Sequence, residues 1–146
     1  MSDVLEVIHE KQDQLEALCQ RHQVVLAYLY GSQARGDAGP LSDVDIAVLF
    51  EEGLSAQERF DRVLELVGKL GHIFGRDDVS VVDLAKASPL LRHRVYYHGQ
   101  ILYCVDESTR VRFETTTLRD YVDTIPLRKI QQKYVSEHFA ASERGV

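Results

Sequence analysis

The sequence predicts an α/β or α+β domain, because short stretches rich in strand-forming residues alternate with stretches whose apolar residues recur at helical spacing. The chain has 146 residues, of which 45% are hydrophobic and 27% are charged, a composition typical of globular proteins. This length suits one domain. We therefore interpret residues 1–146 as a single domain, with a core over about 1–105 and a helical extension over about 106–146.

Each element follows from the local pattern. The predicted strands are Val24 to Tyr30, Val44 to Phe50, Val79 to Leu84 and Ile101 to Val105. The predicted helices cover residues 4–21, 55–70, 89–98, 107–122 and 127–140. Ser55 and Glu58 form a capping-box pattern at the start of helix 55–70. The predicted inner face of that helix is Phe60, Val63, Leu64, Val67 and Leu70. Residues 36–42 have the composition of a loop, and a break between the last two helices is expected near Pro126.

Charge and apolar content narrow the class of protein. The net charge of −6 argues against a dedicated nucleic-acid-binding module, since phosphate contacts require clustered Lys and Arg. No apolar stretch reaches the ~18 residues of a membrane span, and Met1-Ser2-Asp3 begins no signal sequence. Cys19 and Cys104 lie among apolar residues without metal-ligand spacing, which favours buried free thiols. A cytoplasmic protein is expected.

Two carboxylates lie at the beginning of the second predicted strand. Asp43 and Asp45 are two residues apart, so a strand places both on one face. Two carboxylates this close disfavour each other's ionised form unless a cation lies between them. Mg²⁺ suits such a pair, because it accepts one or two carboxylates and completes its octahedron with water and phosphate oxygens. Taken alone, such a pair is more often two solvated acids at the beginning of a strand.

A Gly31-Ser32 step follows the first predicted strand and precedes Gln33-Ala34-Arg35, a predicted helical turn. Glycine lets the backbone approach a phosphate, a serine hydroxyl can donate to it, and free amides at a helix start favour anions. Arg35 is a candidate for bidentate phosphate binding, with a pair to Asp37 as the equal alternative. On its own, the step is compatible with any strand-to-helix turn.

Together, these two motifs resemble the DNA polymerase β-type nucleotidyltransferase signature of Gly-Ser, about ten residues, then Asp-x-Asp. The Ala-Arg-Gly element at 34–36 and the Ser-Asp element at 42–43 are similar to the small branch called minimal nucleotidyltransferases. The resemblance implies a polymerase β-like fold, with a small mixed sheet flanked by helices and a C-terminal helical extension. It also implies roles for particular residues. Asp43 and Asp45 would be catalytic metal ligands, and Gly31, Ser32 and Arg35 would bind the nucleotide.

Later segments extend the resemblance over most of the chain. Ala87-Ser88-Pro89, the stretch Gly99 to Tyr103, and Arg112-Phe113-Glu114 followed by Tyr121 are similar to MntA-type antitoxins, which are encoded with a HEPN-domain toxin. Those proteins transfer AMP from ATP to a tyrosine of the toxin and silence its RNase activity. The resemblance thus implies a Mg²⁺-dependent protein adenylyltransferase with ATP as substrate and a HEPN toxin as partner. Neither a membrane nor a nucleic acid is expected as a direct partner, and residues 107–140 are the candidate docking surface.

The third carboxylate departs from the pattern. Related enzymes often have an acid at the position that aligns with Ser80, and sometimes a second at the position of Asp83. Asp83 is our predicted third metal ligand, although it has the opposite strand parity to Ser80 and would need a β-bulge to face the site. Asp78 is the alternative ligand, and a site without a third acid is the other possibility.

Two other functions stay open at this point. One is a binding module that sequesters the toxin without catalysis, which the uncertain third acid supports. The other is a nucleotidyltransferase that acts on a small molecule, although such an enzyme would ordinarily need a larger substrate domain than the roughly 40 residues after the last predicted strand.

Overall fold

A computed structural model describes residues 4–31 and 43–144, with side chains described as far as His138. Its described part contains a four-stranded mixed sheet flanked by helices, in the strand order β3-β2-β1-β4. The strands are β1 (Val24–Tyr30), β2 (Val44–Phe50), β3 (Val79–Asp83) and β4 (Gln100–Cys104). The predicted fold class is confirmed, and the predicted strands match these bounds to within one residue.

Six helices occur in the described ranges. They are α1 (Val4–Glu10), α2 (Gln12–Arg21), α3 (Ala56–Phe74), α4 (Pro89–His98), α5 (Glu107–Asp123) and α6 (Ile125–Arg144). None of them is long and apolar enough to cross a membrane. The predicted helix 4–21 is wrong as one element, because the chain breaks at Lys11, whose ammonium donates to the carbonyl of Ile73 at 3.2 Å.

The last two helices are separated at Thr124, two residues before Pro126, which confirms the break expected near Pro126. The chain turns at Thr124, whose amide donates to the carbonyl of Tyr121. Pro126 then lies within the first turn of α6, where the missing amide hydrogen has no intrahelical acceptor to lose. The predicted loop over residues 36–42 lies outside the described residues.

The sheet places alternate residues of β2 against different helices. β1 runs antiparallel to both β2 and β4, whereas β2 runs parallel to β3. Ile46 and Val48 face a large core built with α1, α2 and α3, and Ala47 faces a smaller core built with α4 and α5. By strand alternation, Asp45 shares the face of Ala47. The smaller core consists of Leu26, Tyr28, Ala47, Leu84, Val95 and Phe113.

Helix α3 begins where the sequence predicted, and its inner face is confirmed in part, since Leu70 is buried and Val63 packs half-buried against the large core. The Ser55 hydroxyl accepts from the Glu58 amide at 3.1 Å, and the Glu58 carboxylate accepts from the Ser55 amide at 3.4 Å, so the capping box is confirmed. The buried residues are Leu66, Leu70 and Phe74. The predicted Phe60 and Leu64 are instead 50% and 57% exposed.

The rotation of α3 has a physical reason. Arg62 lies four residues and Arg59 seven residues before Leu66, about one and two helical turns, so they share its face of the helix. Their guanidinium groups find partners there, since Arg59 binds Asp83 and Arg62 donates to the side-chain oxygen of Gln23 at 3.1 Å. Polar pairing therefore determines which face of this helix turns inward in its first half.

The two cysteines differ in exposure. Cys19 is buried, and burial followed by the charge of Glu16 raises the pKa of its thiol to about 12. Cys104 is half-buried, and its thiol donates to the carbonyl of Asp106 at 2.9 Å. Both are free thiols as predicted, but only Cys19 is buried.

Candidate active site

The predicted carboxylates lie at the end of the sheet where β1 leads into Gly31 and β2 begins. In the antiparallel pairing of these strands, Asp45 lies opposite Tyr30. Asp43 is exposed immediately before β2, and Asp45 is half-buried as the second residue of the strand. The structure therefore brings Gly31, Asp43 and Asp45 together, with both carboxylates on the α4 side of the sheet.

Gly31 has two reasons to be glycine. Its φ of +75° lies in the left-handed region, which a residue with a Cβ adopts only with strain. A Cβ at this position would also lie 2.7 Å from Oδ2 of Asp45. The sequence suggested that this glycine admits a phosphate, and the structure adds that it makes room for the Asp45 carboxylate.

The electrostatics of this pair favour a bound cation. Burial, followed by the charge of Asp43, raises the pKa of Asp45 above its ordinary value. Burial, followed by the charge of Asp45, likewise raises the pKa of the Tyr30 hydroxyl. The negative charge of the pair is therefore unfavourable without a cation. Carboxylate oxygens are hard ligands, and such a pair fits a divalent cation such as Mg²⁺.

Two of the predicted nucleotide-binding residues cannot be placed. Ser32 and Arg35 lie outside the described residues, as does the predicted helical turn at residues 33–35. Their roles stay predictions from the sequence. The described chain leaves β1 at Gly31, beside Asp45, and resumes at Asp43.

Asp83 does not lie beside the other two acids. The β2–β3 pairing continues without a register shift from Val44–Val79 to Val48–Asp83, so the bulge that would have turned Asp83 toward the site is not there. Asp83 instead faces α3, is 8% exposed and accepts from Nε of Arg59 at 2.8 Å and from the Ala85 amide at 3.0 Å. The prediction that Asp83 is the third metal ligand is therefore wrong in this geometry.

Ser80 and Asp78 lie at the end of β3 that is nearest to Asp45. Ser80 is exposed and pairs with Asp45 across the strands. Asp78 accepts the amide of Val44 on its carbonyl at 3.2 Å. Its carboxylate accepts from Nε and Nη2 of Arg76 at 2.8 and 2.6 Å. This bidentate bond holds the pKa of Asp78 below its ordinary value.

The hydrogen bond to Asp78, followed by the charges of Asp78 and Asp43, raises the pKa of Arg76 above its ordinary value, so the guanidinium lies near both acids. No three His, Cys, Asp or Glu side chains within the described ranges lie close enough to hold a metal ion. Asp78 is thus at the correct end of the sheet, but Arg76 engages it.

An aromatic column lies on the same side of the sheet as Asp45. The His93 ring stacks on Tyr121 with centroids 3.6 Å apart and on Tyr97 with centroids 5.5 Å apart. The guanidinium of Arg128 lies 4.5 Å from the centroid of Tyr121. These residues come from three helices, so no local sequence pattern predicts that they stack. Helix α4 ends at His98, and Gln100 pairs with Leu29 near the end of β1. The helix that carries His93 and Tyr97 therefore ends near the end of the sheet that contains Asp45.

Comparison with known proteins gives concordant results. The family model described as polymerase beta nucleotidyltransferase matches residues 13–108. The protein adenylyltransferase MntA of Aphanizomenon flos-aquae is 29% identical over 138 residues, which cover 90% of each chain. The protein of the same name from Shewanella oneidensis is 32% identical over 96 residues, which cover 66% of this chain and 65% of that protein.

Among solved structures, a chain from a crystal structure of a toxin-antitoxin with AMP-PNP matches with a TM-score of 0.68 at 27% identity. The match covers 86% of this chain and 98% of that chain. The likeness therefore extends beyond the sheet into the helices that follow it.

Proposed function

Because this chain belongs to the polymerase beta nucleotidyltransferase family, we propose that it is an antitoxin that transfers AMP from ATP to a tyrosine of a HEPN-domain RNase toxin. Two relatives bear the name protein adenylyltransferase MntA, and one of them aligns over 90% of both chains. The structure with AMP-PNP belongs to a toxin-antitoxin pair. Such a pair would act in the cytoplasm.

The observation that carries the proposal is the pair of carboxylates at the end of the sheet, of which Asp45 packs against Gly31. Asp43 and Asp45 would hold Mg²⁺, with one carboxylate exposed and the other half-buried. Bound there, Mg²⁺ would offset the charge of the triphosphate and lower the pKa of the attacking hydroxyl. Gly31 keeps the backbone beside Asp45 free of a side chain, which leaves room for that carboxylate.

The residues after Gly31 would bind the nucleotide. The Ser32 hydroxyl and the amides that follow it would donate to the β- and γ-phosphates, and Arg35 would bind a phosphate with two parallel hydrogen bonds. Pyrophosphate would leave from this side as the acceptor oxygen forms a bond with the α-phosphorus. These assignments rest on the sequence motif and on the position of Gly31 at the end of β1.

The acceptor hydroxyl requires help to lose its proton, since a tyrosine has a pKa of about 10. Asp83 is excluded from this role by its position against α3. By register, the nearest further positions are Ser80 and Asp78. We therefore propose a site with two metal-binding acids, in which Asp78 is held at the margin by Arg76.

The surroundings of the site favour a macromolecular acceptor over a small molecule. Helices α5 and α6 expose many large apolar side chains for a protein of this size. They are Val111, Leu118, Val122, Leu127, Ile130, Tyr134 and Val135, each at least 45% exposed. Exposed apolar patches of this kind mark protein interaction sites, which supports α5 and α6 as the docking surface for the toxin.

The decisive experiment is intact-mass spectrometry of the toxin after incubation with this protein, ATP and Mg²⁺. A gain of one or more AMP units is expected, together with loss of RNase activity. The gain should disappear with Asp45→Asn and in excess chelator, and it should persist with Asp61→Asn, which changes an exposed acid on α3. Toxin that is neutralised without any mass gain would refute catalysis and establish sequestration instead.

A further inference from the structure

A second cavity lies on the same face of the sheet as Asp45, at the opposite end. Its volume is about 440 Å³, within the ~300–1,000 Å³ typical of small-molecule sites. It opens where β1 begins and β2 ends, and Leu49 and Phe50 in its wall lie four and five positions along β2 from Asp45. At ~3.4 Å per residue these separations are roughly 14 and 17 Å. The cavity is thus separate from the catalytic carboxylates.

The walls of the cavity combine an apolar surface with donors. Val25, Leu49 and Phe113 supply the apolar part, while Arg92, Arg112 and Thr117 supply polar groups. The remaining lining residues are Phe50, Glu51, Glu52, Thr109 and Thr116. A mainly apolar surface with a few convergent polar groups is typical of ligand sites.

Two buried polar atoms in this lining have no hydrogen-bond partner. Thr117 is 0% exposed, and its Oγ1 is unpartnered, as is Nε of Arg92. Buried polar atoms are seldom left without a partner, because burial removes their hydrogen bonds to water. The guanidinium can only donate and the hydroxyl can donate or accept, so an acceptor in the cavity would satisfy both.

The two arginines hold their carboxylate partners only loosely. Nη2 of Arg92 is 3.5 Å from Asp120, and Nη1 of Arg112 is 3.9 Å from Glu52. Charge-assisted hydrogen bonds are shorter, at about 2.7–2.9 Å. The Arg92 side chain is 23% exposed, so its guanidinium can turn toward an anion in the cavity. Glu51 and Glu52 on the wall disfavour a polyanion such as a triphosphate.

We propose that this cavity binds a small organic anion, with one carboxylate or phosphate group and an apolar body. The anionic oxygen accepts hydrogen bonds from Arg92 and from the Thr117 hydroxyl. The apolar body lies against Leu49 and Phe113. The ligand thereby ties α4 and α5 to the end of β2, on the face opposite the large core.

The test uses the full chain and two probes, phenyl phosphate and phenylacetate, with the threonine methyl signals followed by NMR. Saturable shifts of Thr109, Thr116 and Thr117 are expected with at least one probe, and comparison of the two decides between phosphate and carboxylate. Thr115 is exposed and lies outside the cavity, so its signal should stay in place. Inorganic phosphate and benzyl alcohol, which each lack one half of the ligand, should bind at least tenfold more weakly.

Two variants connect binding with the proposed donors. Arg92→Met should weaken binding at least tenfold, and Thr117→Val, which keeps the shape and removes the hydroxyl, should weaken it several-fold. Arg119→Met is the matched control, because Arg119 is 71% exposed on the same helix as Thr117. If Arg92→Met fails to fold, Thr117→Val decides.

Absence of saturable shifts with both probes would overturn the proposal, as would unchanged affinity in Thr117→Val. Neither readout involves AMP transfer, so this result is independent of the proposed function.

Discussion

The two faces of the sheet treat an aspartate in opposite ways. On the face toward α3, Asp83 is buried beside a large core and receives hydrogen bonds from Arg59 and from the Ala85 amide. On the face toward α4, Asp45 is half-buried beside a second carboxylate, and its pKa is raised. On one face the aspartate has its hydrogen-bond and charge partners within the protein. On the other face it lacks a cationic partner among the residues that the structure describes, and a bound cation would supply one.

This difference suggests that the α3 face contributes mainly to the stability of the fold and the α4 face mainly to the chemistry of the site. The satisfied face also contains the larger apolar core, whereas the α4 face has a smaller core and two unpartnered buried atoms. Functional sites commonly retain destabilising features that their ligands compensate. We therefore expect substitutions on the α3 face to change mainly the free energy of unfolding, and substitutions at the catalytic end to change mainly the rate of transfer.

The largest effect is expected for Asp45→Asn. Loss of a metal-binding carboxylate should lower the rate of AMP transfer at least ~1,000-fold, since metal and electrostatic stabilisation contribute several kcal/mol to such transition states. The rate is measured with labelled ATP and toxin at saturating Mg²⁺. Transfer within tenfold of the unsubstituted protein would show that Asp45 does not hold the metal.

The same variant should be more stable without divalent cations. A carboxyl whose pKa is raised on folding stabilises the protein at low pH, and that contribution is lost as the pH rises through the folded-state pKa. At pH 7 the ionised Asp45 is therefore unfavourable in the folded state. A neutral asparagine should raise the Tm in chelator, as measured by calorimetry. The increase should vanish at a pH low enough to protonate Asp45 in both folded and unfolded states.

Asp83→Ala should have the opposite profile. Removing one partner of a buried ion pair leaves Arg59 without its carboxylate and should cost about 3 kcal/mol of unfolding free energy. Urea denaturation measures this, with Asp61→Ala as the control for an exposed acid on α3. The folded fraction of Asp83→Ala should keep its rate of transfer. A stable but inactive Asp83→Ala protein would show that Asp83 takes part in catalysis.

Gly31→Ala tests whether the turn positions the carboxylate. The left-handed backbone should cost about 1–2 kcal/mol with any Cβ, and the methyl group would collide with Asp45. A displaced carboxylate should lower transfer by roughly 100-fold, the scale expected for a misplacement of about 1 Å. Gly53→Ala is the control, because that glycine also has positive φ but meets no atom within 4 Å. Equal rates of transfer in Gly31→Ala and Gly53→Ala would show that Gly31 does not position the Asp45 carboxylate.

The smallest effect is expected for Ser80→Asp. Ser80 is exposed and pairs with Asp45, so an acid there would add a third carboxylate to the site. The Mg²⁺ concentration for half-maximal transfer should fall several-fold, because an added carboxylate increases the affinity of the site for the cation. In chelator, the extra negative charge should lower the Tm slightly. A higher Mg²⁺ requirement would contradict the placement of Ser80 beside the metal.

The sequence predicted the fold better than the arrangement of the third acid. Strand bounds and the capping box at Ser55 follow from local patterns, and the motif placed Asp43 and Asp45 on one end of the sheet. Strand parity also predicted that Asp83 faces away from Ser80. The rescue by a β-bulge was wrong, since a bulge depends on pairing between strands that are distant in sequence. The inward rotation of α3 likewise depended on Arg59 and Asp83, 24 residues apart.

The contact between Gly31 and Asp45 has a consequence for how sequences of this kind can diverge. A Cβ at position 31 would lie 2.7 Å from the Asp45 carboxylate, so neither position can drift while the other stays as it is. A lineage that loses Asp45 is released from one of the two constraints on Gly31, because only the left-handed backbone then still favours glycine. Degenerate copies that no longer transfer AMP should therefore show substitutions at position 31, and most often to asparagine, which tolerates positive φ better than other side chains.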